Sequence, residues 1–333
     1  MRSRRVERLK SSKRSKRIER VWIVRKKSVK MDLKNQMSSS TTTYQKIEKE
    51  SGKKGDEILL IGDFAGVGKV SFSVMTPLLT AENRTLSYLP TAVVSNSFDY
   101  GDAVVYELTD YMAQSLAMWQ KHQFQFDLFI TGFLFSEAQV ALIKELIATQ
   151  KKRPFLIADP IMGDWGELYS GLSHKLVAGM RDIVMLSDLI IPNLTEALLI
   201  LGEAQEYHHV TEEKVYHWLD MLHQMGAKSI LITSVKIDDH FYIFGYSERE
   251  QHYFKIPYKM IPIHFGGTGD IFTAMIANSL LNQPELSLER VVTHAAQVIS
   301  TILEKEQAYP RERIDEVYFQ RYLPQLRAAI PGK

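Results

Sequence analysis

Short apolar runs at residues 58–61, 127–131, 155–158, 188–191 and 229–233 constrain the fold of this chain more than any other feature. Each is too short for a helix and almost free of polar interruptions, the pattern of a strand covered on both faces. Helical patterns near 67–80, 102–121, 136–150, 171–185, 194–202 and 211–226 lie between them. Strand and helix in alternation predict an α/β fold, with a central mostly parallel β-sheet and helices on both faces. The pattern changes after Thr233. Residues 240–246 and 252–257 read as an antiparallel pair turning at 247–250, and helices are expected near 269–282 and 288–305.

Composition narrows the class. Of 333 residues, 45% are hydrophobic and 24% charged, the balance of a globular protein. No apolar run reaches the roughly 18 residues that span a bilayer. The chain has no cysteine. That excludes disulfides, thiolate zinc sites and a cysteine nucleophile, and suits a cytoplasmic protein. A net charge of +2 conceals a split: residues 1–30 hold fourteen Lys or Arg against Glu7 and Glu19, so the remainder is acidic. Residues 1–57 read as a basic, solvated extension and linker, with Met31 or Met37 as alternative starts. The predicted catalytic domain is 58–333. Basic tails also bind nucleic acid or anionic membranes. This one has only Trp22 as an interleaved aromatic and no sustained apolar face, so the solvated reading is preferred.

Chemistry concentrates at Gly266-Gly267-Thr268-Gly269-Asp270, just ahead of the apolar run 271–277. Glycines admit an anion close to the backbone, and a helix N-terminus aims unpaired N–H groups and a positive dipole end at it. Gly267, Thr268 and Gly269 are therefore candidates for an anion hole, and Asp270 for a base that takes a proton from a hydroxyl. Together they suggest a small-molecule kinase. The same residues also suit an ordinary capped turn. Position rules out two other glycine motifs. Phe272 occupies the third small site of a dinucleotide fingerprint, and around Gly68-Lys69 a P-loop would need glycine at Asp63 and Ser or Thr at Val70.

Further polar residues fall at strand ends, where open parallel sheets bind ligands. Asp159 and Asp164 bracket the loop after 155–158 and are candidate ligands for Mg²⁺, which favours oxygen. A plain strand-end turn at Asp159-Pro160 accounts for them equally well. Asn193 and Glu196 read first as an N-cap and its capping-box partner, with service to metal-bound phosphates as the functional alternative. Thr233 and Ser234 offer hydroxyls to phosphate oxygens, or merely end a strand. His208, His209, His217, His223 and His264 show no metal spacing with a third ligand.

Taken in order, the stretches 89–96, 130–133, 159–164 with Tyr169, 190–193 with Glu196, 232–234 and 266–270 resemble the pyridoxal kinase branch of the ribokinase superfamily, over about residues 58–305. The opening at 61–69 looks most like bacterial members described as pyridoxamine kinases. The resemblance implies a ribokinase-like α/β domain and ATP-dependent phosphorylation of the 5′-hydroxymethyl group of a vitamin B6 pyridine. It also implies a homodimer and a flap that closes over the substrate. Asp270 would be the base, with Gly267, Thr268 and Gly269 as the anion hole. Asp159, Asp164 and Glu196 would serve Mg²⁺ and phosphates, and Asn193, Glu196, Thr233 and Ser234 would hold ATP. Asp63, Ser97, Phe98, Phe133 and Tyr169 would contact the substrate. Such chemistry is mainly positioning and charge stabilisation.

Three positions depart from the family pattern. Ser97-Phe98-Asp99-Tyr100 follows Ser95-Asn96 where members usually have His-Thr-Gly-Tyr, so a polar contact to the ring is replaced by an aromatic one. Phe133 stands where a tyrosine is common. Ile191 replaces a threonine associated with a monovalent cation such as K⁺. The alternative reading is a hydroxymethylpyrimidine kinase of thiamine synthesis, to be told apart by the contacts near 63, 97–100 and 133. Sugar and nucleoside kinases of the superfamily carry an added lid sheet that residues 64–100 do not suggest.

Overall fold

A computed structural model describes residues 56–80, 84–169, 171–261, 266–308 and 318–330. The expectations for the basic extension up to residue 55 and for His264 lie outside the described residues. The strands are β1 (Glu57–Ala65), β2 (Thr85–Val94), β3 (Val105–Glu107), β4 (Leu128–Thr131), β5 (Phe155–Ala158), β6 (Gly163–Asp164), β7 (Glu167–Leu168), β8 (Leu189–Ile190), β9 (Ser229–Ile237), β10 (His240–Ser247) and β11 (His252–Tyr258). The helices are α1 (Phe72–Leu79), α2 (Thr109–His122), α3 (Glu137–Thr149), α4 (His174–Leu186), α5 (Leu194–Leu201), α6 (Glu212–Met225), α7 (Thr268–Asn282), α8 (Leu288–Gln307) and α9 (Leu323–Leu326).

The apolar runs become the centre of a nine-stranded sheet in the order β11-β10-β9-β8-β5-β4-β1-β2-β3, while β6 and β7 pair as a separate hairpin. From β2 across to β9 every neighbour is parallel. Antiparallel strands close both edges, β3 on one side and β10 with β11 on the other. Successive side chains of a strand point to opposite faces, and β1 shows what that does. Ile58 and Leu60 enter one core with α1, α7 and α8, whereas Leu59 and Ile61 enter a second core with α2 to α6. Two buried faces explain why these runs lack the alternation of apolar and polar residues that a half-exposed strand would show. Among the described residues no helix is long and apolar enough to cross a membrane.

The structure corrects the sequence expectations in three places. β2 was not anticipated, because Pro90 argues against a central strand. It is tolerated at an irregularity: Pro90 lies opposite Gly62 and Ala92 opposite Asp63, leaving Thr91 unmatched. The helix expected over 67–80 starts only at Phe72, since Gly68 at φ 120° and Ser71 at φ 51° hold the preceding residues in a loop. The helix expected over 102–121 starts at Thr109, after edge strand β3. Within 64–100 the described residues contribute β2 to the main sheet.

Candidate active site

The carboxyl ends of the parallel strands and the first turn of α7 meet in one place. Gly267, the N-cap of α7, adopts φ 79°, a left-handed conformation that glycine takes without strain. A Cβ there would lie 1.9 Å from the Lys69 carbonyl oxygen, so the loop before α1 presses directly on the cradle. At Gly269 a Cβ would meet nothing within 4 Å, which leaves that side of the first turn open. Thr268 opens the helix between them. This turn can present backbone N–H groups and the positive end of α7 to an anion.

Asp270, 7% exposed, follows at once. The Ser71 N–H donates to its Oδ2 at 2.7 Å, and Ser71 Oγ donates to the Asp63 carbonyl at 2.8 Å. The other oxygen, Oδ1, is buried and has no hydrogen-bond partner among the described residues. Burial, and then the charges of Asp159, Asp63 and Asp99, push the Asp270 carboxyl up to about 8. Burial likewise raises the Asp63 carboxyl. A buried acceptor without a donor is costly to the fold, and it is the arrangement a base for an incoming hydroxyl requires.

Asp159 and Glu196 lie beyond Asp270. Thr273 Oγ1 donates to Asp159 Oδ2 at 2.8 Å, and burial pushes Asp159 up to about 7. Glu196 is 3% exposed and completes the capping box of α5, accepting from the Asn193 N–H at 2.8 Å, while its other oxygen accepts from the Met162 N–H at 3.1 Å. Burial first, and the neighbouring Asp159 next, hold its carboxyl well above the usual range. Asp164 lies in the β6–β7 hairpin, its Oδ1 accepting from the Trp165 N–H at 2.8 Å. Desolvation, followed by the charges of Glu196, Asp164, Asp99 and Asp159, raises the Tyr169 phenol. No group of three or more His, Asp or Glu gathers as a direct metal-binding set among the described residues. Ile191 is buried and aliphatic, and offers no side-chain oxygen to K⁺.

Among the candidate nucleotide contacts, Asn193 caps α5 through its side-chain oxygen and donates from Nδ2 to the Gly163 carbonyl at 2.8 Å. It also bridges to Thr233. Thr233 and Ser234 do not end a strand, contrary to expectation. They form a bulge within β9, both opposite Ile243, with Ser234 at φ 57°, and β9 runs on to Ile237. There β9 leaves its parallel neighbour and pairs only with β10. Ser234 also hydrogen-bonds Tyr258 of β11.

The substrate-contact candidates line the other side. Thr91, left over in β2, donates from Oγ1 to the Phe133 carbonyl at 2.8 Å and fixes that residue beyond β4. Phe133 is 6% exposed and Phe98 51%, with ring centroids 6.3 Å apart. Ser97 packs on the loop before α1, its Cβ 2.7 Å from where a Cβ on Gly68 would lie. Sequence reasoning missed Ser71, Thr273 and Tyr258, and named Asp99 only within the 97–100 stretch of expected ring contacts. Only Thr273 had a local signal, being three residues beyond Asp270 and so on the same helix face.

Comparison with known proteins identifies the family. The family model described as "Phosphomethylpyrimidine kinase" matches residues 88–314. A Bacteroides thetaiotaomicron protein, described as a phosphomethylpyrimidine kinase and solved with pyridoxal, is 31% identical with a TM-score of 0.77, covering 83% of this chain and 97% of that one. Pyridoxal kinase from Lactobacillus plantarum is 29% identical with a TM-score of 0.73, covering 81% and 96%. Pyridoxal kinase of Arabidopsis thaliana is 29% identical over 184 residues, a segment that spans 53% of this chain and 57% of the plant protein. The chain belongs to the pyridoxal kinase and phosphomethylpyrimidine kinase family.

Proposed function

We propose that this protein transfers the terminal phosphoryl group of ATP to the 5′-hydroxymethyl group of a vitamin B6 pyridine. The observation that carries the reading is the buried, unpartnered Oδ1 of Asp270 at the mouth of a glycine cradle. The substrate hydroxyl donates to Oδ1, which takes its proton as the oxygen attacks the terminal phosphorus. The phosphorus–oxygen bond to the nucleotide breaks, and its electron pair leaves with ADP. Backbone N–H groups of 267–269 neutralise charge on the transferred group. Ser71 holds the base in place, and burial raises its carboxyl, so that the ionised form, populated as pH rises toward 8, is a stronger proton acceptor than an exposed carboxylate.

Asp159, Asp164 and Glu196 suit Mg²⁺ by their chemistry. They are oxygen donors, and burial first and the charge of Asp159 next raise the pKa of Glu196, the second a repulsion that a divalent cation would relieve. With no closed three-residue set among the described residues, they would hold the ion through water and nucleotide phosphates, and it would offset phosphate charge. Asn193, Thr233 and Ser234 hold the nucleotide, and the Phe98–Phe133 pair packs on the acceptor ring. The Bacteroides relative solved with pyridoxal supports a B6 acceptor. The reading carries with it a cytoplasmic homodimer, which light scattering would test.

The test is ADP release from Mg-ATP with pyridoxal, pyridoxamine, pyridoxine and hydroxymethylpyrimidine side by side. Turnover of a B6 vitamer supports the proposal. Turnover of hydroxymethylpyrimidine alone moves the enzyme to thiamine synthesis, and silence with all four refutes the kinase reading.

A further inference from the structure

Asp99 has no role in the reaction as described, yet its carboxylate lies against the cradle. A Cβ built on Gly266 would sit 2.2 Å from Asp99 Oδ2 and 3.3 Å from its Cγ. The absence of a side chain at 266 is therefore what admits the carboxylate. The loop that carries it is firmly placed. The Ser97 N–H donates to the Val67 carbonyl at 2.7 Å, Ser97 Oγ donates to Asp99 Oδ2 at 2.6 Å, and the Asp99 N–H donates back to Ser97 Oγ at 3.3 Å. The charge of Asp99 is felt at both Asp270 and Tyr169, the base on one side and the ring pocket on the other.

A hydroxymethyl group at Asp270 Oδ1 carries with it the adjacent ring substituent of the acceptor, and Asp99 lies against Gly266, four residues before that base. In pyridoxamine that substituent ends in an ammonium group, and in pyridoxal in an aldehyde with no proton to donate. A fixed carboxylate favours the first strongly and gives the second nothing. We propose that Asp99 is a specificity determinant that selects acceptors bearing an ammonium group beside the reacting hydroxymethyl, so that pyridoxamine is preferred to pyridoxal. The inference rests on the kinase reading.

The experiment compares kcat/KM for pyridoxamine and pyridoxal in the wild type, Asp99→Asn and Gly266→Ala. Asparagine keeps an oxygen for Ser97 Oγ and removes the charge. The alanine methyl takes the space of Oδ2 and displaces the carboxylate from the cradle, so it keeps the test alive should the first variant fail to fold. The wild type should favour pyridoxamine. Both variants should lower the pyridoxamine-to-pyridoxal ratio, by roughly tenfold or more, the difference between a charge-assisted and a neutral hydrogen bond. Parallel loss with both vitamers at an unchanged ratio would mean that Asp99 only shapes its loop, and overturns the proposal. So does a wild-type preference for pyridoxal, or turnover of hydroxymethylpyrimidine alone. Silence of the wild type with every acceptor is a different failure, that of the kinase reading itself.

Discussion

Replacing Asp270 with Asn separates what the fold gains from this residue from what the chemistry needs. The amide oxygen can still accept the Ser71 N–H, so the tie between α1 and α7 survives. What disappears is an ionisable group that burial and neighbouring carboxylates push from 3.8 to about 8. Between those values the folded chain keeps a proton that the unfolded chain has released, so this group lowers stability as pH rises through the window. At about 1.4 kcal/mol per unit, the roughly three units below pH 7 set a ceiling of about 4 kcal/mol. With relaxation around the site, D270N should gain about 2 kcal/mol at pH 7, or roughly 4–8 °C in melting temperature, and nothing at pH 4. Turnover should fall by about 10²- to 10⁴-fold, the contribution of a positioned base. Thermal melts from pH 4 to 8.5 and coupled ADP release read the two effects. A variant less stable than the wild type at pH 7.5, or one that keeps wild-type turnover, would refute the reasoning.

The glycines of the cradle should differ sharply. Gly267→Ala places a methyl on the Lys69 carbonyl at a positive φ and should destabilise by about 3 kcal/mol or more. Gly269→Ala meets open space and should leave the melting temperature unchanged or slightly higher while turnover drops at least roughly tenfold; the reverse ranking would sink the cradle assignment. Asn193→Ala removes the α5 cap and the bond to the Gly163 carbonyl, so urea melts should show a loss of about 1–2 kcal/mol, with a raised KM for ATP. Deleting residues 1–50 should change neither melting temperature nor turnover, since β1 begins at Glu57; an insoluble truncation would show that the extension packs on the domain.

What could be read ahead of the structure was whatever a local stretch of chain determines. β4, β5 and β8 are almost wholly buried and announce themselves as short runs dominated by apolar residues. The capping box at Asn193 and Glu196 spans three residues, and the turn into α7 is spelled out by its glycines. β2 was hidden because Pro90 is a strand breaker except at an irregularity, and nothing in sequence says where the register will slip. The bulge at Thr233 and Ser234 was likewise invisible: it depends on β10 returning alongside β9. Ser71 and Asp270 are 199 positions apart and Asp159 and Thr273 114. Their pairing follows from the path of the whole sheet.

The bond between Ser71 and Asp270 also bears on how the protein comes to life during synthesis. Every parallel strand and the loop before α1 leave the ribosome ahead of α7. A nascent chain therefore owns the scaffold and the seat for the base long before it owns the base or the cradle. On the proposed mechanism, a chain that stops short of α7 would lack both the base and the cradle and be inert toward ATP.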